Sequence, residues 1–324
     1  FSAPVWTLMD AKPLVIEVEK STLMLNEVTV ADSLRGGEIL MIALSRIAQN
    51  YPMQPYLMDG FYRDLKKVGG TYISLLEAAV KIYDEDYREP RNKYKLRERV
   101  ALQEVRRSIG YASRFTSYFD QDNLLEDLLL HNSVRYRHFP LEELFYESLT
   151  REKDTEYNNQ QVFVISYSRD YRLRVYVEKS NYAIIHVEFE STLEEPLTKK
   201  RGMESRFVRL KRVIDFKPFL GKYYLNYLTV DSNVNWYDIR TKELKFETEL
   251  NQSLLINEVV PNTIRRVPAT EKMRNYGLQY QDQPYNKAFW DNYNVIKESP
   301  LDLKILQDLE RHGPLEKQFK NQEF

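Results

Sequence analysis

Glu188 and Glu190 are the sequence's nearest approach to an acid–base pair. Side chains alternate along an extended chain, so both fall on one face of a strand, as a general acid and base would. A catalytic pair also needs burial to separate its two pKa values, and a solvated strand face accounts for both residues without it. Two other acidic groups, Asp84-Glu85-Asp86 and Glu194-Glu195, add nothing more specific. The four histidines, His131, His138, His186 and His312, begin neither an HxxE nor an HExxH arrangement, so the standard zinc-peptidase spacings are absent. There is no GxSxG elbow and no GxxxxGK[ST] phosphate loop. With no Cys there is neither a thiol nucleophile nor a thiolate metal site. No catalytic residue, metal ligand or cofactor is assigned, and the expectation is a non-enzymatic protein.

Binding signals are similarly sparse. Phe207 and Phe216 flank Arg209, Lys211 and Arg212, an aromatic–basic mix that single-strand nucleic-acid binders use and that an amphipathic strand also produces. The charge balance decides between these: 47 basic and 48 acidic residues leave a net −1, with no single-sign field to gather nucleic acid. Tyr285, Phe289, Trp290 and Tyr293 are suited either to floor a ligand pocket or to pack a helix on a sheet. No ligand-binding residue is assigned. No apolar run of about 18 residues is present, so this chain contains no expected transmembrane segment.

The elements that would position these residues are mostly strands. From Gln161 to Leu250 the sequence alternates with period two: Leu173, Val175 and Val177 against Arg172, Arg174, Tyr176 and Glu178. The same reading sets Tyr223, Leu225, Tyr227 and Thr229 against Tyr224, Asn226, Leu228 and Val230. Turns are expected at Ser168–Asp170, Lys179–Asn181, Gly221-Lys222 and Asp231-Ser232-Asn233, with one further strand at 252–260. Residues 59–86 admit a helix stripe or a strand alternation; Gly69-Gly70 favours a long hairpin, 59–67 with 71–86, and another strand follows near 93–108. An amphipathic helix over 38–49 carries Ile39, Ile42, Ala43, Ile47 and Ala48, and further helices are expected at 119–130 and 139–149. The polar link 150–160 is the best internal boundary, and the tail holds two helices, the second ending at His312-Gly313-Pro314. A hydrophobic content of 43% supports a real core, and 10 Gly in the whole chain disfavour Gly-rich nucleotide folds.

NYP at 50–52, GFYRD at 60–64, LLEAAVKIYDEDY at 75–87, WYDIRT at 236–241 and AFWDNYNVIKESPLD at 288–302 together resemble Bacteroidota envelope proteins labelled carboxypeptidase-like regulatory domain-containing. In that group a regulatory-type β-sandwich precedes a region similar to this one, and the label does not imply peptidase activity. The resemblance makes residues 1–34 the end of such a sandwich and its linker, with strands at 14–18 and 23–30, and residues 35–324 one α+β domain. FSAPVW at the start then reads as the middle of something longer, with a signal peptide or further domain before it. A more distant similarity, to the half-barrels of periplasmic lipoprotein carriers, implies a long curved antiparallel sheet covered by several helices. The two tail helices and the helices at 119–149 depart from those carriers, and the amphipathic segments 38–49, 123–130 and 286–296 are expected to fill the concave face. Phe289 and Trp290 are expected to be buried there, with no continuous apolar tunnel.

The function so implied is an exported binding or scaffold component at the outer membrane, a subunit of a larger assembly of outer-membrane or periplasmic proteins. The alternative is a periplasmic carrier of an acyl chain or other lipid. Asp32-Ser33-Leu34 resembles the O-glycosylation pattern of exported Bacteroidota proteins, which marks Ser33 as a modification site.

Overall fold

The computed structural model describes residues 34–108, 110, 114–119, 124–192, 194–273, 277–281, 283–293 and 303–320. The chain divides between Ser33 and Leu34 into two units, and every element below belongs to the second. The strands expected at 14–18 and 23–30 lie outside the described residues.

β1 (Tyr56–Val68) and β2 (Thr71–Asp84) form the long hairpin. Gly69 and Gly70 turn it with φ of +53° and +80°, the positive pair a two-residue hairpin loop requires. β3 (Arg99–Arg107) pairs with β2. The remaining strands are β4 (Thr150–Arg151), β5 (Thr155–Tyr157), β6 (Gln160–Ser168), β7 (Arg172–Glu178), β8 (Ile184–Ser191), β9 (Glu195–Lys200), β10 (Met203–Phe219), β11 (Lys222–Asp238) and β12 (Leu244–Pro261). All twelve join one antiparallel sheet in the order β3-β2-β1-β12-β11-β10-β8-β7-β6-β4, with β5 on β6 and β9 on β10. Its two ends do not pair with each other, so the sheet is an open half-barrel. Bulges at Asp59/Gly60, Phe207/Arg209 and Asp215/Phe216 add the local twist that curving so long a sheet needs.

Three sequence expectations are corrected here. Asp231-Ser232-Asn233 is not a turn but the middle of β11, where Asp231 pairs with Lys211 on one side and Asn251 on the other. Residues 252–260 are the second half of β12, which begins at Leu244. The polar link 150–160 is no boundary, because β4 and β5 both pair with β6. In each case polar side chains suggested a break, while ladder partners remote in sequence keep the backbone extended. The alternation read along β11 also resets: the bulge opposite Asp215/Phe216 leaves Tyr223 and Leu225 buried before Asn226, and Leu228 and Val230 buried after it.

Five helical segments cover one face, called inner here: α1 (Gly36–Ser45), α2 (Ile47–Asn50), α3 (Leu124–Leu130), α4 (Ser133–Tyr136) and α5 (Glu143–Glu147). Glu38 caps the start of α1 by accepting from the Arg35 amide at 2.7 Å. Ile39, Leu40, Ala43 and Ile47 bury the helix against the sheet, whereas Ala48 is exposed because the helix breaks at Arg46. Leu124, Leu125, Leu128 and Leu129 do the same for α3.

The tail takes the other face. α6 (Lys287–Asn292), α7 (Leu303–Leu309) and a third helix the sequence reading missed, α8 (Leu315–Lys320), sit outside β1–β3. Trp290 is buried as expected, but against Phe61 and Ala79, whose side chains point away from Tyr62 and Ala78 in the main core. Phe289 is only half-buried. The hairpin is therefore apolar on both faces, which is why its sequence gave no clean period.

Candidate functional site

The sequence's one acid pair does not make a site. Glu190 is bound by Arg209 at 2.8 Å and Arg172 at 3.0 Å, and the Arg209 hydrogen bond holds its carboxyl below the usual range. Glu188 is half-buried beside Arg174 at 3.8 Å and His186 at 3.3 Å. What the sequence reading missed lies next to it. His186 is directly cross-strand from Asp215, with Nδ1 3.1 Å from Oδ2, and the Tyr157 hydroxyl donates to the same carboxylate at 2.7 Å. Burial and Asp215 push the Tyr157 phenol upward, so it stays a donor. The Asn226 amide donates to the other Asp215 oxygen at 2.8 Å. Among the described residues no nucleophilic hydroxyl of a Ser or Thr is hydrogen-bonded to His186, and the cluster ties β5 to the main sheet. Among the described residues no group of three or more His, Asp or Glu is placed to hold a metal.

The feature with room for a ligand is on the inner face. β10–β12 are 17, 17 and 18 residues long, and about 3.3 Å per residue carries them well beyond the helical cover. The packed core ends at a polar belt. Gln252 donates to the Tyr62 hydroxyl at 3.0 Å and to the Leu124 carbonyl at 2.9 Å, and Tyr62 donates to Asp64 at 3.3 Å. Lys66 lies 3.6 Å from Asp64 and 5.8 Å from the Phe119 ring; burial lowers its pKa against the pull of Asp64.

Beyond this belt is a cavity of about 550 Å³. Ligand pockets run roughly 300–1,000 Å³. Trp236 and Val234 of β11, Leu250 of β12, Leu197 of β9, and Tyr118 and Phe119 give it apolar walls. The two aromatics come from a 3₁₀ turn, Arg114–Tyr118, and the residue after it. Trp236 is fixed by its surroundings: Nε1 donates to Thr248 Oγ1 at 3.0 Å, Tyr118 meets its ring edge-on at 4.9 Å, and Phe246 stacks at 6.1 Å. The Lys200 ammonium donates to the Ser117 carbonyl, which brings one cation to the cavity wall. A site of this composition can hold a hydrocarbon segment and offers little to a highly charged ligand.

The expected plug is therefore half of the inner face. α1 and α3–α5 fill one part as solid core, and the other part stays open. Trp236 lines the cavity, while Trp290, expected to be buried in a filled concave face, packs on the other side of the sheet. The only trace of Trp236 in the sequence was the WYDIRT motif, and the supposed turn at 231–233 hid the fact that β11 continues to it. Ser33, the expected glycosylation site, lies outside the described residues. No helix among the described residues is long and apolar enough to cross a membrane.

No family model matches the sequence, and neither does any curated protein. Among solved structures the chain is similar to a LolA superfamily protein from Nitrosomonas europaea, at 12% identity over 74% of this chain and 98% of that one, with a TM-score of 0.25. It is also similar to a structure described under lipid–protein interactions in lipovitellin, at 10% identity over 69% of this chain and 27% of that one, with a TM-score of 0.30.

Proposed function

We propose that this protein is a non-catalytic binder of an apolar ligand, an acyl chain or comparable hydrocarbon, held in the cavity walled by Trp236, Val234 and Leu250. The observation that carries this reading is the cavity itself: about 550 Å³ of open, largely apolar space on the sheet face that also carries the main core. Burying a hydrocarbon there gains roughly 25 cal/mol per Å² of apolar surface removed from water. The resemblance to Bacteroidota envelope proteins supports an exported protein acting in the periplasm or at the outer membrane, with Ser33 carrying an O-glycan. An intact mass equal to the bare polypeptide, from the native host, sinks the glycan.

The test is displacement of the fluorescent probe N-phenyl-1-naphthylamine by palmitate. One saturable site per chain is expected, lost in Val234→Glu, which places a charge on the wall. Wild-type protein that binds neither probe nor palmitate ends the proposal. Native purification that recovers a stoichiometric protein partner and no lipid instead favours the scaffold role at the outer membrane.

A further inference from the structure

Arg212 is a cation without a counter-ion. It lies on β10, on the inner face, paired across the sheet with Phe189, over whose ring its guanidinium stacks at 4.0 Å. Its Nη1 donates to Nδ1 of His131 at 3.3 Å. Burial pulls the His131 imidazole down to about 4, so at neutral pH that ring is uncharged and accepts. Nε and Nη2 have no partner among the described residues, and no carboxylate pairs with the side chain. Burial lowers the guanidinium to about 10, which still leaves it charged at neutral pH. By contrast, Arg135 pairs with Asp84, and Arg63 and Arg106 pair with Glu77.

The free atoms are the informative ones. Nε–H and Nη2–H form one edge of the guanidinium fork, the edge that receives both oxygens of a carboxylate. Arg212 lines a recess of about 50 Å³ between the sheet and the α4–α5 link. Ser133 lines the same recess, and its hydroxyl is buried with no hydrogen-bond partner. Two unsatisfied polar groups around one small cavity, one of them cationic, are costly unless something fills it. The other walls, Leu173, Val187 and Ile214, are apolar and suit the carbon next to a carboxylate.

We infer that the recess beside Arg212 is a binding site for the carboxylate of a small organic acid or of a fatty acid, received by the Nε–Nη2 edge of Arg212 and the hydroxyl of Ser133. This site is separate from the Trp236 cavity and does not depend on what that cavity binds. Lys211 and Arg209, its neighbours in sequence, do not serve it, and Arg209 is already engaged by Glu190.

The test is calorimetric titration of the full chain with sodium butyrate and sodium decanoate, at constant ionic strength set with sodium chloride. One saturable carboxylate site per chain is expected, weakened roughly tenfold or more in Arg212→Met. Val234→Glu, which closes the other cavity, should leave it unchanged. Equal affinity for the two acids identifies a free small acid as the ligand class; a strong preference for decanoate that survives Val234→Glu identifies a fatty-acid head group. If Arg212→Met does not fold, Arg212→Lys replaces it, keeping the charge but losing the fork. Absence of saturable binding to wild-type protein, or unchanged affinity in the folded Arg212 variant, overturns the inference.

Discussion

Arg135 and Asp84 form a two-pronged ion pair wholly inside the protein: Nε to Oδ2 is 2.6 Å and Nη2 to Oδ1 is 2.9 Å. Nη1 donates to the Arg88 carbonyl at 3.0 Å, so all three nitrogens are used. The pair fastens the short helix α4 to the end of β2. A buried pair adds little over a well-packed apolar pair, but removing one partner strands the other charge. Asp84→Ala should cost about 3–5 kcal/mol, and the double variant Asp84→Leu/Arg135→Met should recover much of it. Urea unfolding of the three proteins checks this, and additive losses in the double variant would refute it.

Glu98 gives the pair a pH consequence. It is buried, accepts from the Tyr136 hydroxyl, and is pushed up to about 7, by burial first and by the Asp84 charge second. An unfolded glutamate titrates near 4.3. Between those values the folded state holds a proton that the unfolded state has released. Stability from this group is therefore full below about 4.3 and is lost as pH rises through about 7. Glu98→Gln should flatten that decline. Urea midpoints at pH 5 and pH 8 for both proteins measure it, and parallel profiles would contradict the assignment.

Trp290 is a stability residue of the outer face. Arg106, bound to Glu77 at 2.6 Å, lies over its ring at 4.2 Å, and Phe61 packs against its edge at 6.5 Å. Trp290→Ala should cost about 3–5 kcal/mol. It should leave ligand retention in the Trp236 cavity intact, because the sheet separates the two. Loss of ligand from a stably folded Trp290→Ala protein would count against that separation.

Gly37 sets local propensity against packing. Within an exposed helix, Gly→Ala stabilises by about 1 kcal/mol. Here an added Cβ would lie 2.4 Å from the Tyr146 carbonyl oxygen of α5, so α1 and α5 must separate to admit it. Gly37→Ala should therefore destabilise, with a lower thermal midpoint. A higher midpoint would show that the helices can part cheaply.

Local chemistry alone determined a good deal of this protein. Gly69-Gly70 specifies the hairpin, because glycine takes two successive positive φ values at no steric cost. The alternation of Leu173, Val175 and Val177 specifies a strand with one packed face. The absence of Cys excludes thiol chemistry outright. These are readable because each depends on neighbours a few residues away.

Tertiary structure decided which face each element covers and where space is left. Whether Trp290 or Trp236 borders the cavity depends on which side of the sheet the tail packs. Ser232 reads as a turn residue until β10 and β12 supply its ladder on both sides. Asp84 meets Arg135 across 51 positions, and His186 meets Asp215 across 29. No local preference encodes such meetings. They follow from strand register, which a single bulge shifts by one residue and thereby reverses from one face to the other.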